Sequence, residues 1–163
     1  MLIHDERYCQ IKKVKNDMSV NVFIGFDFGT KKIGVAIAQT ITNTATPMPA
    51  IKMINGQPKW NDLDEIISDF KPKKAIIGIP DSENEQTKKL ITKIKIFSSA
   101  LEKKYTIPTI LINEGFSTQM AKQELKDKRQ SGVLKNRIKK GQTDSTAAKI
   151  ILEQWLKLND IES

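Results

Sequence analysis

Residues 22–38 read VFIGFDFGTKKIGVAIA. Two apolar runs, 22–28 and 33–38, flank a short link that holds Gly29 and Thr30. Val, Ile and Phe favour strands and Gly favours a tight turn, so the stretch predicts a β-hairpin. One residue breaks the apolar pattern. Asp27 stands inside the first strand, where a carboxylate loses solvation and needs a cation, a hydrogen-bond donor or a metal ion to compensate. A pair with Lys31 or Lys32 is the structural alternative to a functional role. Gly25, Gly29 and Gly34 admit close backbone approach or tight hairpin geometry.

Downstream of the hairpin, residues 46–54 form a third strand. Pro47 and Pro49 assign it to a sheet edge, because proline cannot donate to a ladder. Asn55, Gly56 and Pro58 mark the next turn. Trp60, Leu63, Ile66, Ile67 and Phe70 recur at helical spacing, and Pro72 ends that helix. A short buried strand follows at 74–79, then a helix over 85–104 with Leu90, Ile94, Phe97 and Leu101 on one face. Residues 108–112 (PTILI) give a fifth strand, 117–128 a helix and 131–141 a basic loop. Residues 144–158 form the last helix, with Ala147, Ala148, Ile151, Leu152, Trp155 and Leu156 turned inward. The order βββαβαβα implies an α/β fold: a mixed five-stranded sheet, three antiparallel strands followed by alternating helices and parallel strands, flanked by helices. The RNase H-like architecture has this order.

Size and composition agree with one soluble domain. The chain has 163 residues, enough for a proper core, and no apolar run long enough to cross a membrane. Residues 1–17 read as a mobile extension and 18–163 as the domain, since Met18 opens directly into the first strand. The only histidine is His4 and the only cysteine is Cys9, both in that extension. Serine–histidine triads, cysteine nucleophiles and Cys/His zinc sites are therefore not expected in the domain. The absence of any disulfide pair suits a reducing, cytoplasmic setting, with a monomer or weak homodimer as the expected assembly. Lys and Arg number 27 against 19 Asp and Glu, a net charge of +8 that favours a polyanionic partner or a solubilising basic surface.

Three acids occupy special places: Asp27 in the first strand, Glu114 directly after the fifth, and Asp144 at the start of the last helix. In an RNase H-like topology the first and fifth strands run the same way. The last helix packs across the sheet near their carboxyl ends, where ligands of open α/β sheets collect. Three converging carboxylates repel one another without a cation, and hard oxygen ligands suit Mg²⁺ or Mn²⁺. Taken singly, Asp144 could be a helix N-terminal acid and Glu114 a solvated loop residue. Residues 126–140 (KDKRQSGVLKNRIKK) carry seven basic residues and one acid. Lys128, Arg129, Lys135, Arg137, Lys139 and Lys140, with Lys31 and Lys32 of the hairpin, are candidates for holding a phosphate backbone.

On these motifs the chain resembles the YqgF family, also called RuvX, the pre-16S rRNA nucleases and Holliday-junction-resolvase-like proteins. The resemblance spans about residues 22–158. It rests on four blocks: GFDFGTKKIGVAIA, AIIGIP at 75–80, INEGFSTQMA at 112–121 and TDSTAAKIILEQWL at 143–156. It implies an RNase H-like, metal-dependent nuclease with Asp27, Glu114 and Asp144 as catalytic acids. The implied substrate is structured RNA at the 5′ end of pre-16S rRNA; branched DNA is the alternative. The third block departs from the family, reading Asn113-Glu114-Gly115 where Asp-Glu-Arg is usual. That departure motivates another reading, a binder of nucleic acid that does not cut. A two-domain ATPase with a D-x-G-T phosphate loop is a third class, for which this chain is too short.

Overall fold

A computed structural model describes residues 21–40, 42, 44–81, 83–113 and 140–162; the side chains of 140–144 and 159–162 lie outside the description. The expected extension 1–17, the expected helix 117–128 and most of the basic loop lie outside it too. Among the described residues no helix is long and apolar enough to cross a membrane.

The sheet is built from β1 (Val22–Phe28), β2 (Lys32–Gln39), β3 (Ala45–Ile54), β4 (Gln57–Pro58), β5 (Lys74–Ile79) and β6 (Thr109–Asn113). Their order across it is β4-β3-β2-β1-β5-β6. β1, β2, β3 and β4 pair antiparallel in sequence, while β5 runs parallel to β1 and β6 parallel to β5. The sheet thus has six strands, one more than the sequence predicts. The addition is a two-residue strand: Asn55 and Gly56, both at positive φ, turn the chain back so that Gln57 and Pro58 pair with Ile54 and Met53. β3 is therefore capped along its last two residues only and is otherwise an edge, as Pro47 and Pro49 predict. Between Ile33↔Ile51 and Val35↔Met48 the register shifts, with one extra residue on β3 in the span that contains Pro49. A bulge is where a strand tolerates a missing N–H.

Helices α1 (Trp60–Phe70) and α2 (Glu85–Tyr105) cover one face of the sheet, and α3 (Lys140–Glu162) the other. Leu63, Ile66, Ile67 and Phe70 are the buried stripe of α1, which stops at Lys71 in the left-handed region just before Pro72. α2 buries Ile94, Phe97 and Leu101, and its N-cap Asn84 accepts a hydrogen bond from the Thr87 N–H at 2.7 Å. Strand alternation divides β1 between two cores. Val22, Ile24, Phe26 and Phe28 join the α1/α2 cluster, whereas Phe23 packs with Ala148, Ile151, Leu152, Trp155 and Leu156 of α3.

α3 begins at Lys140, so Lys140 and Gly141 belong to a helix and not to the expected loop. Asp144 consequently sits a full turn inside the helix rather than at its first residues.

Candidate active site

Asp27 lies near the carboxyl end of β1, paired with Gly34 of β2, and is half-buried. Its side-chain face follows from its neighbours. Gly25 and Phe23 meet α3, and a strand repeats every second residue, so Asp27 belongs to the α3 face. Gly25 is required there by close approach: a Cβ on it would stand 2.9 Å from Leu152 Cβ and 3.1 Å from the Ala148 carbonyl oxygen. Gly29 has a different reason. A Cβ there would come within 2.6 Å of the Lys32 carbonyl oxygen, so the hairpin end tolerates no side chain.

The path of α3 across this face can be read from its attachments. Phe26, Val35 and Met48 form one cross-strand row, and Phe23, Ala38 and Ala45 another, three residues nearer the start of β1. On the first row the buried Ser145 hydroxyl donates to the Met48 carbonyl oxygen. On the second, the Ala45 N–H donates to Glu153 Oε1 at 3.0 Å, and the Trp155 ring meets Phe23 edge-on with centroids 4.9 Å apart. α3 therefore runs antiparallel to β1, starting at the carboxyl end of the strand. Asp144 precedes Ser145 in the helix, as Asp27 follows Phe26 in the strand. Ser145 and Glu153 were not evident as anchors from sequence, although Ser145 stands beside a candidate acid.

The parallel strands complete the same edge. Phe26 pairs with Ile77, Ile77 with Leu111, and Ile79 with Asn113, the last residue of β6. Glu114 follows at once in the chain but lies outside the described residues. Lys31 is exposed and Lys32 half-buried at the hairpin end. Lys128, Arg129, Lys135, Arg137 and Lys139 are outside the description, and Lys140 is the first residue of α3. The structure thus brings the strand position of Asp27 and the helix position of Asp144 to one end of the sheet; Asp27 is the one candidate acid whose side chain is described. Among the described residues no three His, Cys, Asp or Glu side chains lie together.

The resolved titration shifts lie at the other end of the sheet, where α2 finishes. Burial, followed by the hydrogen bond to Asp64, pushes the Tyr105 hydroxyl well above its ordinary range. The side chain and N–H of Thr109 hold the exposed Glu102 carboxyl below its usual value. A raised tyrosine favours folding while it stays protonated, so that stability is lost as pH rises past the ordinary tyrosine value of about 10. The melting temperature should therefore fall more steeply between about pH 9 and pH 11 in the wild type than in Tyr105→Phe. Equal slopes would remove Tyr105 from the alkaline transition.

The RuvX family model, described as Holliday junction resolvase, matches residues 21–158. The chain belongs to the RuvX family. A Legionella pneumophila (strain Paris) relative named "Putative pre-16S rRNA nuclease" is 36% identical over 143 residues, covering 88% of this chain and all of that protein. A Klebsiella pneumoniae (strain 342) protein of the same name is 34% identical over 135 residues, covering 83% of this chain and 95% of the other. RuvC of T. thermophilus, solved in complex with a Holliday junction substrate, superposes with a TM-score of 0.54 at 13% identity, covering 86% of this chain and 96% of that one. That likeness establishes an RNase H-like fold of the RuvC kind. RuvX membership places the chain among nucleases.

Proposed function

We propose that the chain is a divalent-metal-dependent hydrolase that cuts phosphodiester bonds, with Asp27, Glu114 and Asp144 as both metal ligands and catalytic residues. The supporting observation is the seating of α3, which starts beside the row of Phe26 and carries Asp144 toward the end of β1 that holds Asp27. β6 ends on the same edge, one residue before Glu114. All three donors are carboxylates, a set that fits Mg²⁺ or Mn²⁺. When bound, such a cation would supply the charge that activates water and stabilises the leaving oxygen.

The chain's own groups do the rest. Asp27 is held on a strand, so its carboxylate is positioned without loop motion. Lys31 and Lys32 offer cations at the adjoining hairpin end, and Lys128, Arg129, Lys135, Arg137, Lys139 and Lys140 bring a basic run up to Asp144. Contacts of this type fix the register of a backbone without reading its sequence. The name of the relatives favours pre-16S rRNA as substrate, and a structured segment at its 5′ end is the proposed site of cutting. Branched DNA is the second reading, carried by the family description. Such a role suits a monomer or weak homodimer in a reducing cytoplasm, with 18–163 acting as one domain.

The decisive assay offers a 5′-extended 16S precursor and a four-way junction to the full chain, with Mn²⁺ or with a chelator. Mn²⁺-dependent cutting of one of them, abolished by chelation, is the expected result. Binding that survives chelation with neither substrate ever cut would overturn the enzyme and leave the non-catalytic binder that Asn113 and Gly115 suggest.

A further inference from the structure

Phe28, the residue after Asp27, faces the opposite side of the sheet and forms one wall of a cavity of about 160 Å³. The other walls are Met53 and Pro58 from the β3–β4 turn, Trp60 at the start of α1, and Ile96, Phe97 and Ala100 of α2. Trp60 and Phe97 lie nearly parallel, at 29° with centroids 6.1 Å apart. A cavity of about 150 Å³ with apolar walls takes a single aromatic ring, whereas drug-sized ligands need about 300 Å³ or more. Thr30 and Gln57 supply polar groups, and among the described residues Lys93 is the one charged residue of the lining and no acid lines the cavity. Outside it, exposed Lys31 adjoins Thr30, Lys59 adjoins Trp60, and Lys89 lies one turn before Lys93 on α2. Ile96, 62% exposed at the lip, is a large apolar side chain left to water.

On the α1 side, Lys59 pairs with Asp62 and Lys104, over the Trp60 ring, with Asp64, while Lys31, Lys89 and Lys93 carry the positive charge on the hairpin and α2 sides. An aromatic-walled slot beside those cations suits one ligand chemistry above others: a nucleobase on an anionic backbone. We propose that this cavity takes an unpaired base of the bound nucleic acid, from a nucleotide close to the one held at Asp27. The hairpin end joins the two places. Asp27 faces α3 and Phe28 faces the cavity, while Thr30, at the turn between β1 and β2, belongs to the cavity lining. A strand laid across Thr30 and Lys31 has its phosphates at the carboxylate and its next free base at Trp60. The inference rests on nucleic acid being the partner, and it specifies a single-stranded segment beside the reacting phosphate.

The test is made on the full chain in chelator, where nothing is cut. Trp60 emission is followed while single-stranded octauridylate, or an abasic strand of the same length and charge, is added. The second tryptophan, Trp155, is buried against Phe23, so a change in emission reports Trp60. Octauridylate should quench the emission and bind roughly tenfold more tightly than the abasic strand, the scale of one stacked base. Ile96→Glu, an exposed position whose change leaves the core intact, should erase that difference. Equal affinity for the two strands, or a base preference that survives I96E, overturns the proposal and returns the apolar lip to a protein partner. The two readings fail separately. Cutting without base-dependent binding sinks the pocket alone, and base-dependent binding in a chain that never cuts sinks the nuclease alone.

Discussion

Asp27→Asn should lower Mn²⁺-dependent cleavage by about a thousandfold, comparable to removing a single preorganised electrostatic group from an active site. Asparagine keeps the shape and removes the charge, so a hard cation loses a strong oxygen donor. The fold should survive. Asp27 is half-buried near the end of its strand, and the two cores on either side are built from Phe26, Phe28, Phe23 and their partners. Circular dichroism and melting temperature close to wild type, together with lost cleavage, are the paired readouts. Retained cleavage would remove Asp27 from the chemistry and leave it as a paired charge in a strand. Raising Mn²⁺ adds a discriminating measurement. A weakened ligand set regains some activity at higher metal, whereas a merely misfolded variant does not.

Gly25→Val should sharply weaken the packing of α3 on the sheet. Valine is the better strand former, so intrinsic preference predicts a gain. Packing predicts the reverse. The first added carbon alone falls 2.9 Å from Leu152 Cβ, and neither that atom nor the Ala148 carbonyl is the free end of a flexible side chain. Overpacking of this kind costs about 1–3 kcal/mol, which in a domain of this size lowers the melting temperature by roughly 3–10 °C. Because α3 must lift, cleavage should fall as well, although residue 25 offers no chemical group. Adding Leu152→Ala should restore part of both losses, since residues in contact couple. A Gly25→Val protein as stable as wild type would show that α3 is not pressed against β1.

Much of this arrangement was legible in the chain because it is periodic. The two apolar runs on either side of Gly29 and Thr30 marked the hairpin and singled out Asp27 inside its first strand, while the face on which Asp27 lies came from the packing of Phe23 and Gly25 against α3. The 3.6-residue spacing of Leu63, Ile66, Ile67 and Phe70 marked α1. What escaped was local or long-range. Gln57–Pro58 is too short to show a pattern, and its strand exists only because the Asn55–Gly56 turn returns it to Met53 and Ile54. Lys140 and Gly141 read as loop residues and the last helix as starting at 144, yet α3 begins at Lys140. The hydrogen bonds from Ser145 to Met48 and from Ala45 to Glu153 join residues about a hundred positions apart, beyond any windowed pattern. For the candidate site, the acid in the strand could be picked out from sequence. The direction of the helix laid over it could not, and that direction comes from the attachments of α3 to β3 and β1.

The outer side of β3 has a consequence for how copies of the chain meet. A ten-residue edge strand would ordinarily invite another strand to add on. Here two of those ten are prolines with no N–H to give, a bulge shifts the ladder in the span that holds Pro49, and β4 occupies the last two positions. An incoming strand finds no unbroken row of donors on that side. A basic protein crowded along a polyanion is thereby kept from stitching its sheets together into a fibre.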